Sequence, residues 1–394
     1  MKTLYLHIGT PKTATSSIQK FLAENWDVLQ KHGYFFPEST HIYPRVNARR
    51  NAHFLSGRVR NGEGIRDKEK EKTYLEEGLQ QVRDAFQNYD NVILTDESIW
   101  YCLCYLKKSL LCDLKKEADK QGYQIKVIVY LRRQDKFLLS RWNQRVKQKS
   151  TSDAVLSCDE YFELTQKKEK DIYQYGKILD GIAEVIGKEN LIVRRFDAES
   201  WRDGSIIHDF MHEIGIDVTP EFHELEKNAN LSLDKNTTEI KRILNQEESF
   251  TMKEISYMGK FLKKISENHI QKDHTEMLAK EELQQFLKKY ETENERIARE
   301  YIGDGQPLFS NEVKDLPKWN PQNEKMQEEI IQFFAAVTMD LKKTNEIQRQ
   351  KIDQQEKSEF VRQSPYHPLQ SLVVLRKSVA EMLRKVKRIL NNFI

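Results

Sequence analysis

His7-Ile8-Gly9-Thr10-Pro11-Lys12-Thr13-Ala14-Thr15-Ser16-Ser17-Ile18-Gln19-Lys20-Phe21-Leu22 runs from a strand, through a tight loop, into a helix. Ile18, Phe21 and Leu22 are spaced for one helix face. Thr13 to Ser17 therefore stand at that helix's N-terminus, where backbone N–H groups lack helical partners and the dipole is positive. Four hydroxyls and one lysine crowd this point, as suits a loop that holds phosphate or sulfate. Hydroxyl residues at a helix start also serve simply as caps.

The nucleotide-triphosphatase pattern G-x-x-x-x-G-K-[ST] does not fit. Started at Gly9, it requires glycine, lysine and a hydroxyl where the chain has Ala14, Thr15 and Ser16, and Lys12 comes three places early.

Outward from this loop, β-rich runs at Thr3 to Ile8, Gly33 to Phe36, Asn91 to Thr95, Ile125 to Leu131 and Asn190 to Phe196 alternate with helical patterns. That order predicts an α/β fold with a parallel sheet. Val92-Ile93-Leu94 and Val127-Ile128-Val129 are apolar without alternation, as in central strands covered on both faces by helices. From about residue 218 the pattern is helical, and after Trp319 the composition turns to Gln, Glu, Lys and Asn. The expected domains are 1–319, α/β, and 320–394, a charged helical extension.

Composition excludes several classes. The 64 basic and 61 acidic residues of 394 nearly cancel, so no whole-protein field favours nucleic acid, and none is expected as a partner. Hydrophobic residues are only 38%, which points to much solvated helix. Four cysteines without histidines at zinc-ligand spacing predict a reduced, cytoplasmic chain with no structural metal. No apolar run reaches the roughly 18 residues of a membrane span.

A second motif stands at the fourth strand: Arg132 at its C-terminal end, then Ser140 eight residues on. A planar guanidinium there suits a phosphate, at the edge where open parallel sheets collect ligands. Arg132, Arg133, Lys136, Arg141, Arg145, Lys147 and Lys149 also read as a general polyanion-binding stretch.

Pro-Lys-Thr-x-Thr-Ser after strand one, with Arg-x7-Ser on strand four, resembles the sulfotransferases that use 3′-phosphoadenosine 5′-phosphosulfate (PAPS), closest to bacterial carbohydrate-type members. The resemblance covers residues 1 to about 319. It implies a P-loop sulfotransferase-like core, PAPS as sulfuryl donor, 3′-phosphoadenosine 5′-phosphate (PAP) as product, and no metal. It further implies a donor site of Lys12, Thr13, Ala14, Thr15, Ser16 and Ser17 for the 5′-phosphosulfate, and Arg132 and Ser140 for the 3′-phosphate. In related enzymes a segment closes over the nucleotide, and the resemblance implies Asn230 and Ser232 as its cofactor contacts. Ala14 stands where these loops usually carry glycine, a substitution that an α-region backbone accommodates.

A hydroxyl acceptor needs a base. Strand three ends in Thr95-Asp96-Glu97-Ser98 at the same sheet edge, and the related carbohydrate enzymes often carry an acid there. Glu97 is the expected base, with Asp96 second and His53 the rival base or acceptor-binding group; His7 reads as a packed core residue. Arg45, Arg49, Arg50, Arg58 and Arg60 would dock an anionic glycan acceptor, of the capsule or lipopolysaccharide kind, and Trp100 and Trp142 would stack on a sugar ring. A P-loop kinase and a non-catalytic polyanion-binding scaffold remain as alternatives.

In residues 371–394, apolar positions share one helical face, and six basic residues stand against Glu381 alone. This basic amphipathic helix suits the anionic inner face of the cell membrane. It suits equally its own domain or a second copy of the chain.

Overall fold

The computed structural model describes residues 1–44, 46–61, 63–105, 109–149, 151–168, 170–225, 232–268 and 274–360, with Glu381, Arg384 and Lys385 beyond them. The chain forms two compact units, each built from three stretches. Met1–Ser140, Glu163–Asn228 and Lys280–Lys314 make the first; Arg141–Phe162, Ala229–Ala279 and Asp315–Ile394 make the second. In sequence the composition break follows Trp319. In space the second unit also draws in 141–162 and 229–279.

In the first unit, strands β1 (Thr3–His7), β2 (Tyr34–Phe35), β3 (Asn91–Thr95), β4 (Gln124–Leu131) and β5 (Leu191–Arg195) form one sheet in the order β2-β3-β1-β4-β5. All its pairings are parallel, so the protein is an α/β fold with a parallel sheet. Leu4, Leu6, Val92, Leu94, Val127 and Val129 are fully buried, and helices Lys68–Asn88, Ser109–Gln121 and Tyr175–Ile186 pack on β3, β4 and β5. Tyr5, Ile93, Ile128 and Tyr130 pack with Ile18, Phe21 and Leu22 of helix α1 (Thr15–Glu24) and with Phe210 and Met211. Covering helices on both faces explain the unbroken apolar runs.

Strand lengths position the loop. His7, the last residue of β1, lies opposite Ile128, and β4 continues to Leu131. The chain after β1 follows that overhang: the Ile8 N–H donates to the Ile128 carbonyl at 3.1 Å. The Thr10 N–H and hydroxyl both donate to the Tyr130 carbonyl, at 3.2 and 3.0 Å. Residues 11–14 are thereby delivered to the end of β4, where Arg132 follows.

The second unit packs helices Lys235–Gln246, Met252–Asn268 and Glu324–Phe360 around Ile240, Leu244, Met258, Leu262, Phe333 and Val337. Its Lys241 is buried, donates to the Asn245 side-chain oxygen at 2.6 Å, and is pushed down to about 8 by that burial. Lys385 donates to the Ser249 carbonyl at 2.6 Å and lies 3.7 Å from Glu254, so one of the six basic groups of the C-terminal stretch is used inside this unit. The rest of residues 371–394, apart from Glu381 and Arg384, lies outside the described residues.

Both tryptophans proposed as sugar platforms belong to the interior. Trp100 is fully buried, edge-on to Tyr175; Trp142 is buried and donates its indole N–H to the Leu156 carbonyl. Among the described residues no helix is long and apolar enough to cross a membrane. None of the four cysteines forms a disulfide.

Candidate anion-binding and transfer site

The loop between β1 and α1 depends on left-handed backbone. Gly9, Lys12 and Ala14 have φ of 73°, 72° and 55°. Ala14 is therefore not in the α region expected from sequence, and its Cβ costs about 1–2 kcal/mol relative to a right-handed residue. Ala14 is the N-cap of α1, and no side chain caps the helix. The Ser17 and Ile18 N–H groups donate to its carbonyl, at 2.9 and 3.2 Å. The amides of Thr15 and Ser16 precede the first helical hydrogen bonds, at the positive end of the dipole. These hydroxyls are therefore not simple caps.

The side chains divide the work. Thr13 is fully buried and turns its hydroxyl to the Thr10 carbonyl, which shapes the loop instead of offering a donor. Thr15 is buried with its hydroxyl unpartnered. Ser16 and Ser17 are exposed and Lys12 is half-buried. An orphaned hydroxyl beside uncapped amides fits an oxyanion, because leaving it unmet costs about 1–3 kcal/mol.

Arg132 closes the other side. It donates to the Lys12 carbonyl at 3.0 Å, lies on the Phe196 ring at 5.4 Å, and its carbonyl accepts from the Tyr175 hydroxyl at 2.7 Å. Burial pulls its pKa down, a desolvation that a bound anion would offset. Neighbouring Arg133 is held by both oxygens of Asp135 at 2.8 Å and by the carbonyls of Ser310 and Glu312. The first two arginines of the basic stretch thus divide, one on the loop and one holding the fold. Ser140 is half-buried on the helix Gln134–Gln148 that follows.

Glu97 stands beside the loop: a Cβ on Gly9 would come within 3.1 Å of the Glu97 Cβ and 3.3 Å of the Thr15 hydroxyl. Glycine is favoured there by φ, and a Cβ would crowd Glu97 and Thr15. Burial raises the Glu97 pKa, with nearby Arg50 acting to lower it and Asp96 to raise it. Its Oε1 lies 3.3 Å from Arg50, while its Oε2 is buried without a partner.

Asp96, the second candidate base, is fully enclosed and fully engaged. It accepts from Arg50, the Ser98 N–H, His53 Nδ1 and the Ser56 hydroxyl. Burial acts to raise its pKa, but the His53 hydrogen bond and the Arg50 charge prevail and hold it below the usual carboxylate value. His7 is fully buried against Phe210, its Nδ1 3.1 Å from the Thr95 hydroxyl, and burial pushes it down to about 3. It is the core residue expected.

The fold thus gathers Lys12, Thr13, Ala14, Thr15, Arg132 and Glu97 around one loop, with His53 reaching it through Asp96. Ser232 is exposed in the second unit; Asn230 and Arg45 lie outside the described residues. Of the arginines proposed to dock an acceptor, Arg50 turns to Asp96 and Glu97, while Arg60 donates to the Gly64 carbonyl of its own loop. Tyr175, Phe196 and Gln19 are neighbours that carry no local sequence signal; they reach the site only through tertiary packing.

No family model matches the chain. An uncharacterized protein of Archaeoglobus fulgidus is 28% identical over 210 residues, which are 52% of this chain and 54% of that protein. The chain spans about half the length of this curated relative. Among solved structures, the crystal structure of a sulfotransferase from Alicyclobacillus acidocaldarius is similar with a TM-score of 0.37 and 16% identity, over 58% of this chain and 88% of that one.

Proposed function

We propose that the protein is a PAPS-dependent sulfotransferase whose acceptor is a hydroxyl of a glycan. The observation that carries this reading is the loop itself: an uncapped helix N-terminus and an orphaned Thr15 hydroxyl, closed on one side by Arg132 and on the other by the half-buried Glu97 carboxylate. This arrangement supports a reading with two anion positions and a base, and it lacks the lysine placement of a triphosphatase loop.

In this reading the amides of Thr15 and Ser16, with the Thr15 hydroxyl, bind the 5′-phosphate, and Lys12 offsets charge growing on the leaving oxygen. Arg132 binds the 3′-phosphate. PAPS supplies the activated sulfuryl group: the bond from sulfur to the acceptor oxygen forms as the bond to the bridging phosphate oxygen breaks, and PAP leaves. Glu97 takes the acceptor's hydroxyl proton on Oε2, a group raised toward useful basicity by its burial. Positioning and charge supply the catalysis, as in phosphoryl transfer.

Mass-spectrometric detection of sulfuryl transfer from PAPS to a panel of uncharged and acidic oligosaccharides tests the reading. Wild-type protein is expected to sulfate at least one acceptor class and Lys12→Ala none. Equal transfer by K12A would contradict the role of the loop.

A further inference from the structure

The charged cluster beside Glu97 contains more than a base. Arg50 spends its guanidinium on three neighbours at once. Its Nε lies 3.0 Å from Asp96 Oδ1, one terminal nitrogen donates to Asp96 and Ser98, and the other lies 3.3 Å from Glu97 Oε1. Asp96 is itself fixed from the opposite side by His53 Nδ1 and by the Ser56 hydroxyl at 3.3 Å. The Tyr43 ring meets His53 edge-on at 4.5 Å. A planar fork held at its root by a buried carboxylate has little freedom left.

We infer that Arg50 is a positioning residue for Glu97: locked by the Asp96–His53 pair, it anchors Oε1 and leaves Oε2 as the single oxygen that accepts the acceptor's proton. The inference rests on the reading of Glu97 as the base. It recasts His53, the rival base, as a second positioning residue, because its Nδ1 is directed to Asp96 and it acts on Glu97 only through Asp96 and Arg50. The charged groups bearing on Glu97 are Arg50 from the segment before His53 and Asp96 beside it in the chain. Gln19 of α1 is the neutral partner.

The arrangement has a chemical consequence. A carboxylate held by one oxygen on a guanidinium stays ionised to lower pH than the same carboxylate without it, and it presents one fixed lone-pair direction to the acceptor. Without Arg50, burial alone would favour the protonated form, which cannot accept a proton.

The test uses the full chain labelled with 13C at glutamate carboxyls, with Glu97→Gln identifying the Glu97 resonance. In Arg50→Gln the Glu97 midpoint should rise by about one pH unit or more; an unchanged midpoint would overturn the inference. Arg50→Lys keeps a charge but loses the fork, and should lower kcat at least tenfold with acceptor KM and PAP affinity unchanged. A raised acceptor KM at unchanged kcat would make Arg50 an acceptor ligand instead. His53→Asn should lower kcat yet retain the acid limb of its pH profile, whereas loss of that limb would make His53 the base. Absence of transfer by wild-type protein would count against the proposed function and leave the carboxyl titration to decide the role of Arg50.

Discussion

The guanidinium of Arg132 donates a 3.0 Å hydrogen bond to the main-chain carbonyl of Lys12. Two motifs 120 residues apart in the chain are thereby one object, the loop after β1 and the end of β4. Arg132→Ala should lower PAP affinity roughly 10- to 100-fold, the size of a lost charge-assisted contact of about 1.5–3 kcal/mol. Arg133→Ala should lower stability and leave PAP affinity within about twofold. Calorimetric titration of both variants separates the roles; equal losses of affinity would return both arginines to a general basic patch.

Ala14 adopts a conformation that favours glycine. Ala14→Gly should relieve about 1–2 kcal/mol of left-handed strain and give back about 0.4–1 kcal/mol of that in unfolded-state entropy. The net expectation is a gain of about 0–1.6 kcal/mol in denaturant unfolding, with PAP affinity retained. Ala14→Val, branched at Cβ, should destabilise. A loss of stability in A14G would contradict the left-handed loop.

Glu97→Gln should abolish turnover by about 100- to 10,000-fold, the range of a general base, while PAP binding stays intact. Burial raises the Glu97 pKa, so activity should rise with pH through a midpoint above that of an ordinary glutamate. An acid limb at or below the ordinary value would contradict the assignment.

Acid sensitivity has a separate source. His7 has a folded pKa of about 3, below its unfolded value near 6.5, so the unfolded chain binds the extra proton and stability falls as pH drops below about 6.5. Between pH 7 and 5 this group should cost about 2 kcal/mol. His7→Gln should show a loss smaller by about that amount in urea unfolding at the two pH values. Asp96, held low, adds its own loss only below about pH 4. Identical pH dependence in wild type and H7Q would rule out the buried neutral His7.

The five strands were readable as β-rich runs alternating with helical patterns, the central β3 and β4 most clearly because their unbroken apolar runs need cover on both faces, and the loop because its hydroxyls, lysine and helical spacing are local. The φ of Ala14 was not, since alanine gives no signal for a left-handed position. The Arg50–Asp96 pair spans 46 residues and forms only when the segment before His53 meets the end of β3. Trp100 and Trp142 illustrate the same limit: an aromatic residue near a charged stretch looks the same in sequence whether it faces a cleft or the core. Helices Lys235–Gln246 and Met252–Asn268 are amphipathic whichever unit they join, so their membership in the second unit was invisible.

A nucleotide site built from the β1 loop and Arg132 is decided by thermal unfolding of the whole chain titrated with PAP in the absence of magnesium. The midpoint should climb with PAP concentration as mass action requires, with no comparable rise with ATP and loss of the PAP effect in Arg132→Ala. No shift with PAP, or a shift seen only with ATP and magnesium, would contradict it.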